Sequence, residues 1–405
     1  MSAVLQTDQM NSNPTILVMF GESQAAPEAC YSLVDGGFDV MVACRKSKGG
    51  PLRRSRLVAT RGVTEPEINY EQTIAELVDL AKESDAAAVL PLDDGALWIA
   101  NKARDQFSCP VAASPSNAVE VALDKRMQIN AARKAGFSIP KTLYPVTSDD
   151  FRNWETFPCI IKGALATRPE GDGLGRSRAH FCKDQSAYQD VQAALDPDDP
   201  VVLQEWKQGC GVGVFGYRTH SGIQAWSGHH RIRMMNPAGS GSSCCESELP
   251  SQDIQQHVES MLESIGWQGL FMVELLRDQD GTNWFMELNG RAWGSMALAR
   301  AFGMEYPLWA VQDVLGELPE LPDCASNTTR RARNLGRELV HLLFVLRGRG
   351  RHKGMEWPKR FRTFRELCTS REGDRWYNAR RGDMKVFYSD AIESIRSQIF
   401  KGGNQ

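Results

Sequence analysis

The sequence predicts a mixed α/β and α+β protein, with a doubly wound parallel sheet near the N-terminus, a body of paired strands after it, and a basic helical extension at the end. Three observations predict this. The 405 residues are 42% hydrophobic and 24% charged, enough to bury two or three domain cores and too apolar for intrinsic disorder. Over the first hundred residues, continuous apolar runs of strand length alternate with stretches of helical period, the pattern of strands covered on both faces. Charge is also uneven: residues 330–405 hold nineteen Lys and Arg against eight Asp and Glu, so a chain of net charge -3 has an acidic body and a basic end.

Residues 1–13 are polar and predict a flexible leader. The runs TILVMF, FDVMVAC, AAAVLPL and CPVAA predict strands, and Tyr70–Ser84 and Asp93–Gln106 predict helices, giving an α/β unit over residues 14–113. The first strand leads into Gly21, but the ESQAA that follows is not a GxGxxG fingerprint, which argues against a nicotinamide dehydrogenase. A second unit over residues 114–326 opens with a helix from Asp124 to Gly136 and the extended SIPKT. FPCIIKG then predicts a strand closing on Lys162 and Gly163. The stretch ALATRPEGDGLGRSRA, with Gly171, Gly173 and Gly175 at alternate positions, predicts a loop. VVLQEW predicts a buried strand, and GVGVFGYRTHSGIQAWSGHH a strand pair turning at Ser221 and Gly222. Asn236–Ser247, polar and small, predicts a mobile loop, and Ser251–Gly266 a helix.

The last two strands, GLFMVELL and NWFMELNGR, carry the chemistry. Between them Asp280 and Gly281 form the dipeptide favoured in a two-residue type I′ turn. Such a turn pairs 279 with 282 and sets Glu274 across from Glu287, with Asn289 two residues on along the same face. Like charges directly opposed inside apolar strands repel, and burying them unpaired is costly. Either a divalent cation resolves the conflict, with oxygen donors suited to Mg²⁺, or the glutamates lie on a solvated face. Cations able to meet phosphates stand at Lys125, Lys162 and Arg291, and the glycine-rich segment after Lys162 offers N–H groups to phosphate oxygens.

No apolar run approaches the ~20 residues of a membrane span, and the N-terminus has no signal-peptide core, so a cytoplasmic protein is expected. Ten cysteines without CxxC spacing predict free thiols and no structural metal. The adjacent Cys244 and Cys245 have no local histidine and acid to activate a thiol.

The ordered set of Lys125, Lys162, the glycine segment, FMVELL and FMELNGRAWGS resembles the ATP-grasp superfamily, in particular its carboxylate–amine ligases with a carbamoyl-phosphate-synthase-like nucleotide domain. The similarity covers roughly residues 14–315, and its most specific part is an acidic residue followed by ExNxR. The resemblance implies two lobes clamping ATP, with the small lobe at about 140–207. It implies that Lys125 and Lys162 hold phosphates, that the loop from Gly163 through Gly171, Gly173 and Gly175 closes over them, and that Gln204, Glu205 and Trp206 form a hinge whose backbone meets the adenine. Glu274, Glu287 and Asn289 would hold Mg²⁺, with Mn²⁺ as the alternative ion, while Arg291 and Lys162 serve the transferring phosphoryl group. The family's acidic ribose contact after the hinge is missing, because the sequence there reads GCGVGV.

The resemblance implies an ADP-forming ligase in which a small-molecule carboxylate becomes an acyl phosphate that an amine or another nucleophile attacks. Arg231 and Arg233, alternating in HHRIRMM, either clamp that carboxylate or face solvent; Ser295 is a further candidate substrate contact, and His229 or His230 a candidate base. The alternatives are a phosphotransferase or carboxylase on the same fold, or a non-catalytic nucleotide sensor. The basic extension over residues 327–405 either binds an anionic polymer or membrane or packs on the acidic body; no specific nucleic-acid motif accompanies it. A homodimer formed through the first unit would match relatives of this kind.

Overall fold

The computed structural model describes residues 13–401 apart from 197, 198, 240 and 350–356. The leader, except for Asn13, and part of the basic run LRGRGRHKG therefore lie outside the described residues. No helix among the described residues is long and apolar enough to cross a membrane.

The N-terminal unit is a four-stranded parallel sheet of β1 (Thr15–Met19), β2 (Asp39–Arg45), β3 (Ala59–Val63) and β4 (Ala86–Pro91), in the order β3-β2-β1-β4. Its unbroken apolar strands are explained by two cores. Ile16, Val18, Val42 and Leu90 face one, while Leu17, Met19, Ala43 and Val89 face the other, under helix Tyr70–Glu83. CPVAA makes only a single parallel bridge, Val111 to Val89, rather than a strand. The first strand reverses winding beside β4, and Asp93 at that end caps helix Asp94–Lys102 by accepting from the Ala96 N–H at 2.7 Å.

Two helices, Ser116–Leu123 and Lys125–Lys134, lead out of this unit, and Asp124 caps the second. The small lobe follows: β5 (Thr142–Leu143), β6 (Cys159–Gly163), the hairpin β7 (Thr167–Glu170) and β8 (Gly173–Arg176), β9 (Ala179–Cys182) and β10 (Val201–Glu205). Four of these form an antiparallel sheet in the order β5-β10-β6-β9. The glycine-rich segment expected to be a loop is thus a two-stranded hairpin turning at Gly171, whose φ is +59°. It is anchored on the N-terminal unit. The Leu174 N–H donates to Pro66 O at 2.7 Å, the Tyr70 N–H to Asp172 O at 2.9 Å, and Leu174 is buried in the N-terminal core.

The large sheet contains β11 (Cys210–Thr219), β12 (Gly222–Met234), β13 (Ser242–Ser247), β14 (Gly269–Arg277), β15 (Asn283–Asn289), β16 (Arg331–Arg333) and β17 (Arg375–Trp376). Their order is β15-β14-β11-β12-β13-β16-β17. One face packs Val214, Phe271, Val273 and Leu275 under helices Lys125–Lys134 and Gln252–Ser264; the other turns Phe215 and Met272 toward the N-terminal unit.

Three expectations are corrected here. The second half of Asn236–Ser247 is β13, an interior strand: Cys244 and Cys245 are both fully buried because the sheet is covered on both faces there. The β14–β15 turn is longer by one residue than a type I′ turn. Asp278 pairs with Thr282, Gly281 alone takes a positive φ (+85°), and the Asp278 carboxylate accepts from the Asp280 and Thr282 N–H groups. Finally, the basic extension, expected to be helical, also contains strands: it supplies β16 and β17 to the large sheet as well as helices Leu335–Arg347, Arg360–Cys368 and Met384–Lys401.

Candidate active site

Glu274 lies directly across from Glu287, and Met272 across from Asn289, as the sequence predicts. Two departures cancel to give this register. The longer turn shifts the pairing by one residue, so Leu275 faces Phe285, and a bulge at Met286 restores it before Glu287. The same bulge turns Phe285 toward the helices, where it is fully buried, and leaves Glu287 on the opposite face.

Gly213 is the neighbour of Glu274 on β11 and of His229 on β12. A Cβ at Gly213 would come within 3.0 Å of His229 Nε2, and one at Gly211 within 2.7 Å of Arg231 Cδ. The two bare positions clear a floor on which Arg231 reaches across to Glu274, with Nη2 donating to Oε1 at 2.6 Å. Arg291, just past β15, donates through Nε to Asp94 Oδ1 of the N-terminal unit at 2.9 Å. Lys162 Nζ donates to Gln204 Oε1 at 2.9 Å.

Electrostatics show what the cluster lacks. Burial and then the Glu287 carboxylate push Glu274 above the usual carboxylate range, although Arg231 opposes them. Glu287 has no hydrogen bond and no ion-pair partner within 4 Å among the described residues. Burial lowers Lys162 to about 8, helped by the like charge of Lys125 and opposed by Glu287 and Glu274. Among the described residues no three His, Cys, Asp or Glu side chains are grouped to hold a metal, so the protein donors are the two carboxylates and the Asn289 amide. That all-oxygen set, with one carboxylate unpartnered and the other pushed toward protonation, fits a divalent cation that keeps water or phosphate oxygens as its remaining ligands.

A cavity of about 180 Å³ brings Glu274, Glu287, Asn289, Arg291, Arg231 and His229 together. Ser295, also predicted, lines it, along with Trp293, Arg337 and Tyr377, which were not. Asp94 and Arg337 escaped notice because each sits in a charge run, DDG or RRARNLGR, that has no motif spacing.

Other predicted residues lie elsewhere. Arg233 does not share the cavity, since a register shift between 231 and 233 turns it away; it is buried, with Nε and Nη2 on the Glu338 carboxylate at 3.0 and 3.1 Å. His230 faces away as well, with Nδ1 2.9 Å from Glu248 Oε2. His229 is neutral: burial first, then Arg231 and His230, depress it to about 3, which leaves it a poor base. At the hinge, the Glu205 N–H donates to Lys141 O and the Trp206 N–H to Pro158 O, so these two N–H groups are already engaged. Gly163, Gly171 and Gly175 line a separate cavity of about 1170 Å³ between the hairpin and helix Gln185–Ala193, while Gly173 rests against Glu67 O.

No protein-family model matches the sequence, and no curated protein matches it. Solved structures do match in shape. An L-amino acid ligase from Bacillus licheniformis superposes with a TM-score of 0.58 at 16% identity, covering 75% of this chain and 74% of that one. N5-carboxyaminoimidazole synthetase from Staphylococcus aureus gives 0.60 at 15%, covering 82% and 86%. The biotin carboxylase domain dimer of Hydrogenobacter thermophilus 2-oxoglutarate carboxylase, in complex with MgADP, ADP and bicarbonate, gives 0.60 at 13%, covering 78% and 73%. The chain has the ATP-grasp fold.

Proposed function

We propose that this chain, built on the ATP-grasp fold, is a Mg²⁺-dependent ligase that uses ATP to join a small-molecule carboxylate to an amine or other nucleophile, releasing ADP and phosphate. The observation that carries the proposal is the opposed pair Glu274 and Glu287 with Asn289 beside them, ringed by Lys162, Arg231 and Arg291. These three oxygen donors would hold Mg²⁺, which when bound neutralises phosphate charge and orients the phosphoryl group.

A carboxylate oxygen of the substrate attacks the γ-phosphorus of ATP, and the bond from that phosphorus to the β,γ-bridging oxygen breaks, giving an acyl phosphate and ADP. The amine nitrogen then attacks the acyl carbon, the bond from that carbon to the phosphate oxygen breaks, and inorganic phosphate leaves as the amine loses a proton. No protein nucleophile is needed, so the chain's work is positioning and charge neutralisation. Lys162, held by Gln204, and Arg291, held by Asp94, offset charge on the phosphoryl oxygens. Arg231, donating to Glu274, fixes the orientation of that carboxylate. His229, neutral and without a partner on either nitrogen among the described residues, offers a hydrogen bond rather than a base.

The purified protein with MgATP, set against a panel of carboxylates and amines with bicarbonate included, tests this by ADP and phosphate release. Ligation predicts ADP release that requires both a carboxylate and a nucleophile, and a loss of about 100-fold or more in Glu287→Gln. ADP release with bicarbonate alone would point to the carboxylase-type reaction. Nucleotide binding without turnover, indifferent to Glu287→Gln, would leave a sensor.

A further inference from the structure

We infer that Arg337, contributed by the C-terminal segment, is an anion anchor of this same site and holds the substrate carboxylate and then the acyl phosphate formed from it; this rests on the ligase reading above. Every other arginine around the cavity is already neutralised. Arg231 is paired with Glu274 at 2.6 Å and Arg291 with Asp94 at 2.9 Å, while Arg233 has left the cavity for Glu338. Arg337 has no carboxylate within 4 Å among the described residues. Among the described residues its guanidinium makes one hydrogen bond, from Nη1 to the Ser242 carbonyl at 3.0 Å, and its remaining donors are left for a ligand.

Two more polar groups lining the same cavity are without hydrogen-bond partners among the described residues. His229 is 2% exposed and neither ring nitrogen is bonded; Ser295 is 6% exposed and its Oγ is unbonded. Buried donors without acceptors are costly, and a planar carboxylate or a phosphoryl group set between Arg337, His229 and Ser295 would satisfy them together. Burial also lowers the Arg337 pKa, with Tyr377 and Asp390 opposing and Arg231 adding to the lowering.

The backbone that presents Arg337 is fixed. Asn334 caps helix Leu335–Arg347 by accepting the Arg337 N–H at 3.0 Å, and its own amide donates to Asp390 at 2.9 Å. One residue on, Glu338 is buried and holds both Arg233 and Arg333. Arg337 and Tyr377 also border a second cavity of about 310 Å³ that runs toward Glu22 and Glu393, giving the rest of a substrate room to extend from its anchored carboxylate.

Full-length Arg337→Ala and Arg337→Gln proteins test the assignment in two ways. In turnover, KM for the carboxylate should rise about 10- to 100-fold while KM for MgATP stays within about twofold, and Arg337→Lys or added methylguanidinium should restore part of the loss. In calorimetry on protein saturated with MgADP, inorganic phosphate should bind at least about tenfold more weakly to both variants, with MgADP binding unchanged. Unchanged phosphate affinity in folded variants would overturn the assignment. If no carboxylate elicits ADP release the ligase reading fails, and the phosphate titration still decides the role of Arg337.

Discussion

Lys162 shows how a single residue couples burial to function. Its ammonium is lowered to about 8 because it is buried, with Lys125 adding like charge. Phosphate binding needs the charged form, which is lost as pH rises through that value. The kcat/KM for MgATP should therefore fall about tenfold per pH unit above pH 8, and Lys162→Arg, whose guanidinium stays charged, should lose this alkaline limb. A pH–rate profile of free enzyme with MgATP checks it; a flat profile to pH 10 would remove Lys162 from the phosphate site. At this scale hairpin register and motif order single out Glu274, Glu287, Asn289 and Arg291, which the structure brings to one cavity. The sequence does not separate Arg231 from Arg233, because both lie in one alternating run and only a local register shift tells them apart.

Secondary-structure elements were legible where a pattern of period 2 or 3.6 faced one environment. β13 was misread because Ser-Ser-Cys-Cys looks like loop composition, whereas its small side chains suit a strand buried on both sides. The glycine segment was misread for a related reason: Gly173 and Gly175 sit in a hairpin too close to its neighbours for side chains. A Cβ on Gly173 would lie 2.3 Å from Glu67 O, so Gly173→Ala cannot keep the hairpin seated on the N-terminal unit. That substitution should cost about 1–3 kcal/mol and increase cleavage within residues 167–176 under limited proteolysis. Wild-type resistance retained in the variant would mean that the hairpin's seat tolerates the added atom.

For the whole molecule, the basic end packs on the acidic body, one of the two outcomes its composition allows, and adds strands that its composition does not announce. Some of its arginines meet an acid of the extension itself, and others meet acids far away in sequence that a count over residues 330–405 leaves out. Arg331 is held by Asp374 at 2.6 Å, Arg371 reaches Glu246 at 3.2 Å, and Arg380 reaches Asp35 at 2.7 Å. Removing residues 330–405 strips two strands from the large sheet, exposes the edge of β13, and orphans buried Arg233. The truncated protein should therefore fail to give a cooperative melt in calorimetry; a soluble, two-state product that merely lost salt-dependent lipid binding would contradict this. The extension also grips the beginning of the fold: Tyr31 Oη donates to Asp383 Oδ2 at 3.1 Å, and the Asn378 N–H to Glu28 Oε1 at 2.8 Å. During synthesis, the parallel sheet near the start of the chain thus waits for residues made some 350 positions later before helix Ala26–Asp35, buried against it, is fully clamped.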